Sequence, residues 1–333
     1  MRSITSQSPD FAALNEGVPP SSSPRVSVCL PVYQGETYVA DAIRSIQNQS
    51  FHDFELVISD NASTDRTESI CREFSEQDSR VRYFRADKNQ GLAWNHNRAF
   101  ELSRGEFAMW IGHDDRLDPT HLERCVTELD RNPAAVLCYT NSNDIDAEGA
   151  VTAKIDLPTI GDSSRPSDRY SQTVQYEKRC DVVFGLMRAD VLRRTNLHGG
   201  YHGSDWPLIA EMALHGRFLH LPEHLFSRRK HLNQASRRND RWQNTVIFDP
   251  RKAGKTTYPF FSLVAGFRSA IERAPIGFLE RRRCHAHLLG FSWRNRHHLR
   301  WDLKEGLSST VKRCLSDRQV DRVRRLKHQL FGS

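Results

Sequence analysis

Short apolar runs alternate with amphipathic stretches along the first 140 residues. Arg25–Pro31 is β-branched and apolar and reads as a buried strand. Val39, Ile43 and Ile46 recur at helical spacing across Thr37–Gln49. Phe54–Ser59 predicts a second strand that ends on Asp60, and Asp65-Arg-Thr-Glu68 predicts a capping-box start for a helix to about Ser75. Val81–Arg85 predicts a third strand, and Asn89-Gln-Gly91 opens a helix to about Leu102. Glu106–Ile111 is a fourth strand, Pro119–Leu129 a helix and Val136–Thr140 a fifth strand. Strands alternating with helices of this length predict an α/β fold, Rossmann-like and doubly wound, on a mostly parallel sheet. Further on, Asp181–Met187 and Phe218–Pro222 read as strands, and Leu208, Met212 and His215 mark a helix that begins near Asp205.

Ligands of such sheets bind beyond the carboxyl ends of the strands. Pro31–Tyr33, Asp60 and Asp114–Asp115 all fall at that edge, after strands one, two and four. The run Met109–Asp115 leaves the sheet on a glycine, a histidine and two adjacent carboxylates. Hard cations such as Mg²⁺ and Mn²⁺ are held by one or two carboxylates together with substrate phosphates. The pattern therefore predicts a nucleotide with a metal-bound diphosphate; a merely solvated turn is the plainer alternative.

Composition narrows the class. Hydrophobic residues make up 38% and charged residues 27% of the 333, as in a globular protein with a polar surface. Seven cysteines include no C-x-x-C pair, which favours reduced, buried thiols over a disulfide framework. Met1–Ser23 lacks the apolar core of a signal peptide, so residues 1–24 are expected to be a disordered leader and the location cytoplasmic. The longest apolar run, Tyr258–Phe267, is about half a bilayer span. Charge is uneven: Arg268–Ser333 holds sixteen Lys/Arg against six Asp/Glu, a surplus of +10 in a chain of +7. That basic extension, 249–333, is expected to be mainly helical, through Trp293–Trp301 and Val311–Leu330. It reads either as an appendage packed on the core or on a second subunit, or as a peripheral contact with anionic lipid at the inner membrane face. No nucleic-acid motif accompanies the basic residues, so no nucleic acid is expected.

Val26-Ser-Val-Cys-Leu-Pro-Val-Tyr33, Leu56-Val-Ile-Ser-Asp-Asn-Ala-Ser-Thr-Asp65, Asn89-x-Gly91 and His113-Asp-Asp115, in that order, resemble the nucleotide-binding half of family 2 glycosyltransferases with a GT-A fold. The resemblance runs from about Arg25 to His231. It implies a GT-A domain over 25–248, with a nucleotide-sugar half to residue 140 and an acceptor half after it. It also implies inverting transfer from a nucleotide sugar, most often a UDP-sugar, to a glycan or lipid-linked acceptor, of the bacterial polysaccharide or glycolipid type. By the resemblance Tyr33 packs near the nucleobase on a loop shaped by Pro31, and Asp60 hydrogen-bonds the base. Asp114 faces the ribose or diphosphate, and Asp115 ligates Mn²⁺ or Mg²⁺ with His231 as a further ligand. Arg228 or Arg229 neutralises the leaving group. Asp205, after a glycine-rich turn, resembles the acceptor-side base, and Trp206 offers a face to an acceptor sugar. A helix N-cap is the plainer role for Asp205. Two rival functions stay open. A nucleotidyltransferase would carry a Gly-rich basic loop where this chain has Pro31-Val-Tyr-Gln-Gly-Glu36, and an inactive sugar-nucleotide-binding module would not require intact Asp115 and Asp205.

Overall fold

The computed structural model describes residues 23–176, 180–231 and 241–314, with backbone alone for 241–244 and 307–314. The expected leader up to residue 22 and the expected helical segment beyond Cys314 lie outside the described residues.

The first half follows the predicted alternation. β1 (Val26–Val32), α1 (Val39–Gln47), β2 (Phe54–Asp60), α2 (Thr67–Gln77), β3 (Val81–Arg85), α3 (Leu92–Glu101) and β4 (Phe107–Trp110) build four parallel strands in the order β3-β2-β1-β4. Val26, Val28, Leu30, Leu56, Ile58 and Met109 are buried, as expected of strands covered on both faces. The register places Val32 opposite Asp60 and Cys29 opposite Trp110, so Tyr33, Asn61 and the Ile111–Asp115 turn leave the sheet at one edge. α2 does not start with a capping box. Asp65 Oδ1 accepts the Thr67 N–H, whereas Glu68 turns outward to Arg72 and Arg85.

Beyond β4 come β5 (Arg116–Leu117), α4 (His121–Arg131), β6 (Ala135–Ile145), β7 (Val151–Ile155), α5 (Pro166–Gln175), β8 (Leu186–Arg188), α6 (Ala189–Leu192), α7 (Asp205–His215) and β9 (Arg217–Arg229). The sheet continues β4-β8-β6-β9-β5, with β7 on β6. β8 is antiparallel to both β4 and β6, while β6 and β9 run parallel. Three expectations need correcting. Asp181–Met187 is not one strand: Asp181–Phe184 forms a 3₁₀ turn pinned by the buried Asp181 carboxylate, which accepts from Ser142 Oγ and Arg228 Nη1. β6 extends five residues past Thr140, because the polar Asn141–Asp144 stretch pairs with β9 on one side and β7 on the other. β9 does not stop at Pro222 as expected but runs on through Arg228 and Arg229, which therefore sit on a strand.

After α8 (Arg241–Phe248), helices α9 (Pro259–Arg273), α10 (Phe278–Arg294) and α11 (Arg296–Cys314) close the molecule. Phe260, Phe267, Ile271, Leu288 and Phe291 share a core with Tyr170 and Val174 of α5 and Ala210 and Leu214 of α7. The first free N–H groups of α9, on Phe260 and Phe261, are taken up by the buried Asp302 of α11. The helices after residue 249 thus pack onto the second half of the sheet domain.

Candidate active site

Above the carboxyl edge of β1 and β4 opens a cleft of about 1660 Å³. Its walls include Pro31, Tyr33, Asn61, Asp114, Asp115, His198, Asp205, Trp206, Arg228 and His231. Acids 91 positions apart in the chain, Asp114 and Asp205, therefore face one space.

The Asp114–Asp115 turn is shaped by Gly112. A Cβ there would lie 2.6 Å from Asp115 Oδ2 and 2.8 Å from Asp114 Oδ1, so both carboxylates fold back over this residue. Asp115 is buried, and its Oδ1 accepts the Arg229 N–H at 3.0 Å. Burial first, and the Asp114 charge second, push its carboxyl well above the usual range. Asp114 Oδ2 meets His231 Nε2 at 2.9 Å. Among the described residues no three His, Cys, Asp or Glu side chains converge into a closed metal centre. What the turn offers is an oxygen-rich pair with an imidazole beside it, which fits a hard cation that draws its other ligands from phosphate.

Arg229 supports this turn from beneath. It is buried to 1% exposure, with Nε donating to Asp114 O, Nη1 to Asp146 O and Ala147 O, and Nη2 paired with Asp41. Its guanidinium is consumed by the protein, so of the two arginines only Arg228, which also binds Asp181, stands in the cleft wall. Tyr38 stacks beneath the Arg229 guanidinium at 4.6 Å and lies 5.0 Å from the His231 ring.

The remaining nucleotide-side residues divide. Pro31 and the exposed Tyr33 line the cleft. Asp60 does not: it is wholly buried, with Oδ2 accepting from Tyr83 Oη at 2.6 Å and Oδ1 from Ser63 N–H at 2.9 Å. Its neighbour Asn61 is the one in the wall, tied to the Asn89-x-Gly91 turn through Asn89 Oδ1, Gln90 N–H and Gly91 O. Gly91 has φ +95°, and a Cβ on it would strike Phe248 O at 2.5 Å, which accounts for the glycine in that motif.

Asp205 opens α7 after Ser204, whose side chain makes no capping hydrogen bond. Burial raises the Asp205 carboxyl above its ordinary value, opposed by the Cys180 thiol and the helix's own N–H groups. Trp206 lines the cleft and also packs against the α9 core. Two histidines had no sequence signal. His198 is nine-tenths buried in the wall, with neither ring nitrogen hydrogen-bonded. Its backbone is clamped twice by the Asn97 amide, just after Leu197 at φ 53°. His96 lies 5.0 Å away and its Nδ1–H donates to Leu92 O; burial lowers its pKa to about 4 and holds His198 well below the usual value. Phe260, Leu263, Phe291 and Asn295 complete the wall from the C-terminal helices, whose sequence carries no motif.

Residues 27–192 match the family model described as Glycosyl transferase family 2. Over 126 residues the chain is 34% identical to the chondroitin synthase of Escherichia coli, covering 38% of this chain and 18% of that protein. Over 95 residues it is 36% identical to the GalNAc(5)-diNAcBac-PP-undecaprenol beta-1,3-glucosyltransferase of Campylobacter jejuni, covering 28% and 31%. The chain thus spans less than a third of the length of either relative. The S. aureus TarS 1–349 structure in complex with UDP-GlcNAc superposes with a TM-score of 0.62 at 16% identity, over 81% of this chain and 73% of that one. Likeness at that identity speaks for the fold. With the motifs at the sheet edge, the matched domain and the GT-A architecture all in agreement, the chain belongs to glycosyl transferase family 2.

Proposed function

We propose that this chain is a glycosyltransferase that moves a sugar from a nucleotide-diphosphate sugar, a UDP-sugar foremost, to a hydroxyl of a glycan or lipid-linked acceptor. The observation that carries the reading is the shared cleft, which Asp114, Asp115 and Asp205 all line. The named activities of the two relatives support the reaction class, and the undecaprenol-linked substrate in one of those names supports a lipid-linked acceptor.

In this reading Pro31, Tyr33 and Asn61 flank the nucleoside, with Asp60 holding the Asn61–Ser63 turn rather than touching the base. Asp115, Asp114 and His231 would hold Mn²⁺ or Mg²⁺, which when bound offsets charge on the departing diphosphate. Asp205 accepts the proton from the acceptor hydroxyl. That oxygen attacks the anomeric carbon from the face opposite the diphosphate, and the C–O bond forms as the sugar–phosphate bond breaks. The bonding pair leaves with the nucleoside diphosphate, so the anomeric centre inverts. A partly buried carboxylate with a raised pKa is a better base than a fully solvated one, provided the pH keeps it ionised.

The test is thermal unfolding of the purified chain against UDP-, GDP- and dTDP-sugars, with and without Mn²⁺. One donor should stabilise it in the presence of Mn²⁺, and Asp115→Ala should remove the Mn²⁺-dependent part. If no donor shifts the transition, the proposal is lost; if the variant responds as the parent does, the metal assignment alone is lost.

A further inference from the structure

Helix α10 buries one side and presents the other to solvent. Cys284, Leu288 and Phe291 face the α5–α9 core. On the opposite side Phe278, Leu289 and Trp293 are each 71% exposed and Leu279 is 68% exposed. Exposed between and beside them are Arg282, Arg283, Ala286 and Arg294. These positions recur every three or four residues, so they form one continuous stripe along about 22 Å of helix. Isolated exposed apolar side chains are ordinary, but four large ones on a single helix face mark an interaction surface. Arg282 lies over the Phe278 ring and, just past the helix end, Arg296 over the Trp293 ring. The one acid of α10, Glu280, sits at the margin of the stripe, where it accepts the Ser167 N–H and pairs with Arg283, so Arg282, Arg294 and Arg296 carry the cationic character of this face.

We infer that this stripe docks the protein on an anionic lipid surface. Aromatic and leucine side chains flanked by arginines, with a single acid held at the margin, are the composition of a helix lying in a membrane interface. A second copy fits poorly, because a two-fold contact would set these arginines against their equivalents. Nucleic acid would use the arginines but leave Phe278, Leu279 and Leu289 without a role. The same helix contributes Phe291 to the cleft wall, with Asn295 just beyond its end, so the lipid surface would lie about one helix diameter, roughly 10 Å, from the cleft. That distance brings a lipid-borne acceptor within reach. The acceptor link rests on the proposed transfer; the docking does not.

The experiment is co-sedimentation of the full chain with vesicles of phosphatidylcholine containing about 30% phosphatidylglycerol, against pure phosphatidylcholine. The protein should pellet with the anionic vesicles only, and less so at high salt. Leu289→Glu combined with Trp293→Glu should cut the bound fraction by about tenfold or more. Because both side chains are exposed, the melting temperature and any hydrolysis of soluble nucleotide sugar should stay at the parent level. Equal pelleting of parent and variant, absence of parent binding to anionic vesicles, or a parent dimer by light scattering that the variant dissociates would each overturn the docking. A parent that binds vesicles but neither binds nor hydrolyses a nucleotide sugar would leave the docking intact and remove the transfer reading.

Discussion

The two sides of the cleft are made differently. On the nucleotide side, parallel strands end in register and hand short polar turns to the opening, so position follows from chain order. On the other side the wall comes from β9, α7 and the C-terminal helices α9 to α11, far along the chain from the strands of the nucleotide side, and position follows from packing. The first construction is readable as motifs. The second is readable only as a core, and the family match ends at residue 192, before α7 begins. What the difference teaches is that one wall can be damaged without the other.

Asp205→Asn should show this most sharply. Turnover should fall by about 10²–10⁴ while calorimetry shows unchanged binding of the nucleoside diphosphate. Near-normal turnover would place the base elsewhere. The same variant carries a stability signature. Because burial raises the folded pKa of Asp205 above its unfolded value, the native chain holds that proton more tightly. Stability contributed by Asp205 is therefore lost as pH rises from the unfolded toward the folded pKa. At neutral pH, Asp205→Asn should melt no lower than the parent, and the gap should close in acid.

Next in size is Phe267→Ala, which empties a fully buried position where α9 meets α5 and α7. It should cost about 3–5 kcal/mol in denaturant unfolding. The folded fraction should still bind nucleoside diphosphate; loss of binding in step with stability would mean the two walls form one cooperative unit. Arg229→Met should weaken the nucleotide side as well, by about 1–3 kcal/mol for a buried carbonyl left unpaired, because three carbonyls lose the guanidinium that now satisfies them while Asp41 keeps Arg116. Metal-dependent nucleotide binding should fall with it, since the Asp114–Asp115 turn loses its support.

Smaller effects remain. The acidic limb of the rate profile should lie above the range of an ordinary carboxylate, because protonated Asp205 cannot accept the acceptor's proton. A limb near the ordinary value would mean Asp205 is more solvated than its position implies. His198→Phe should leave the melting temperature equal or slightly higher, as it removes two unpaired nitrogens while keeping ring contacts with Trp110 and His96. A large drop would show that His198 has a partner in solution.

Much of the nucleotide side was legible in advance. The parallel arrangement of the first strands follows from alternating β and α units, and the Asp114–Asp115 turn is visible as carboxylates closing an apolar run, whereas the strand order is set by packing. Asp60 shows where legibility stops. It ends its strand as expected, yet Ala62 at φ 63° reverses the turn after it, so Asn61 reaches the wall while Asp60 is sealed by Tyr83. Neighbouring residues at a strand end cannot be told apart from sequence when one turn decides which faces out. The polar half of β6 and the arginines of β9 were missed for a related reason. Their strand character comes from pairing with each other, and apolar periodicity cannot register a strand whose inward groups are polar.

By itself, the chain's order of apolar runs and punctuating acids determined a parallel sheet, its binding edge and the pair of carboxylates there, because these depend on local periodicity and on where strands stop. Only the tertiary structure decided that α7 sets Asp205 across from them, that Arg229 is a strut, and that α10 lines the cleft while showing an apolar, basic face to solvent. Those outcomes depend on contacts between segments far apart in sequence, whose energies are set by how surfaces meet rather than by any local pattern.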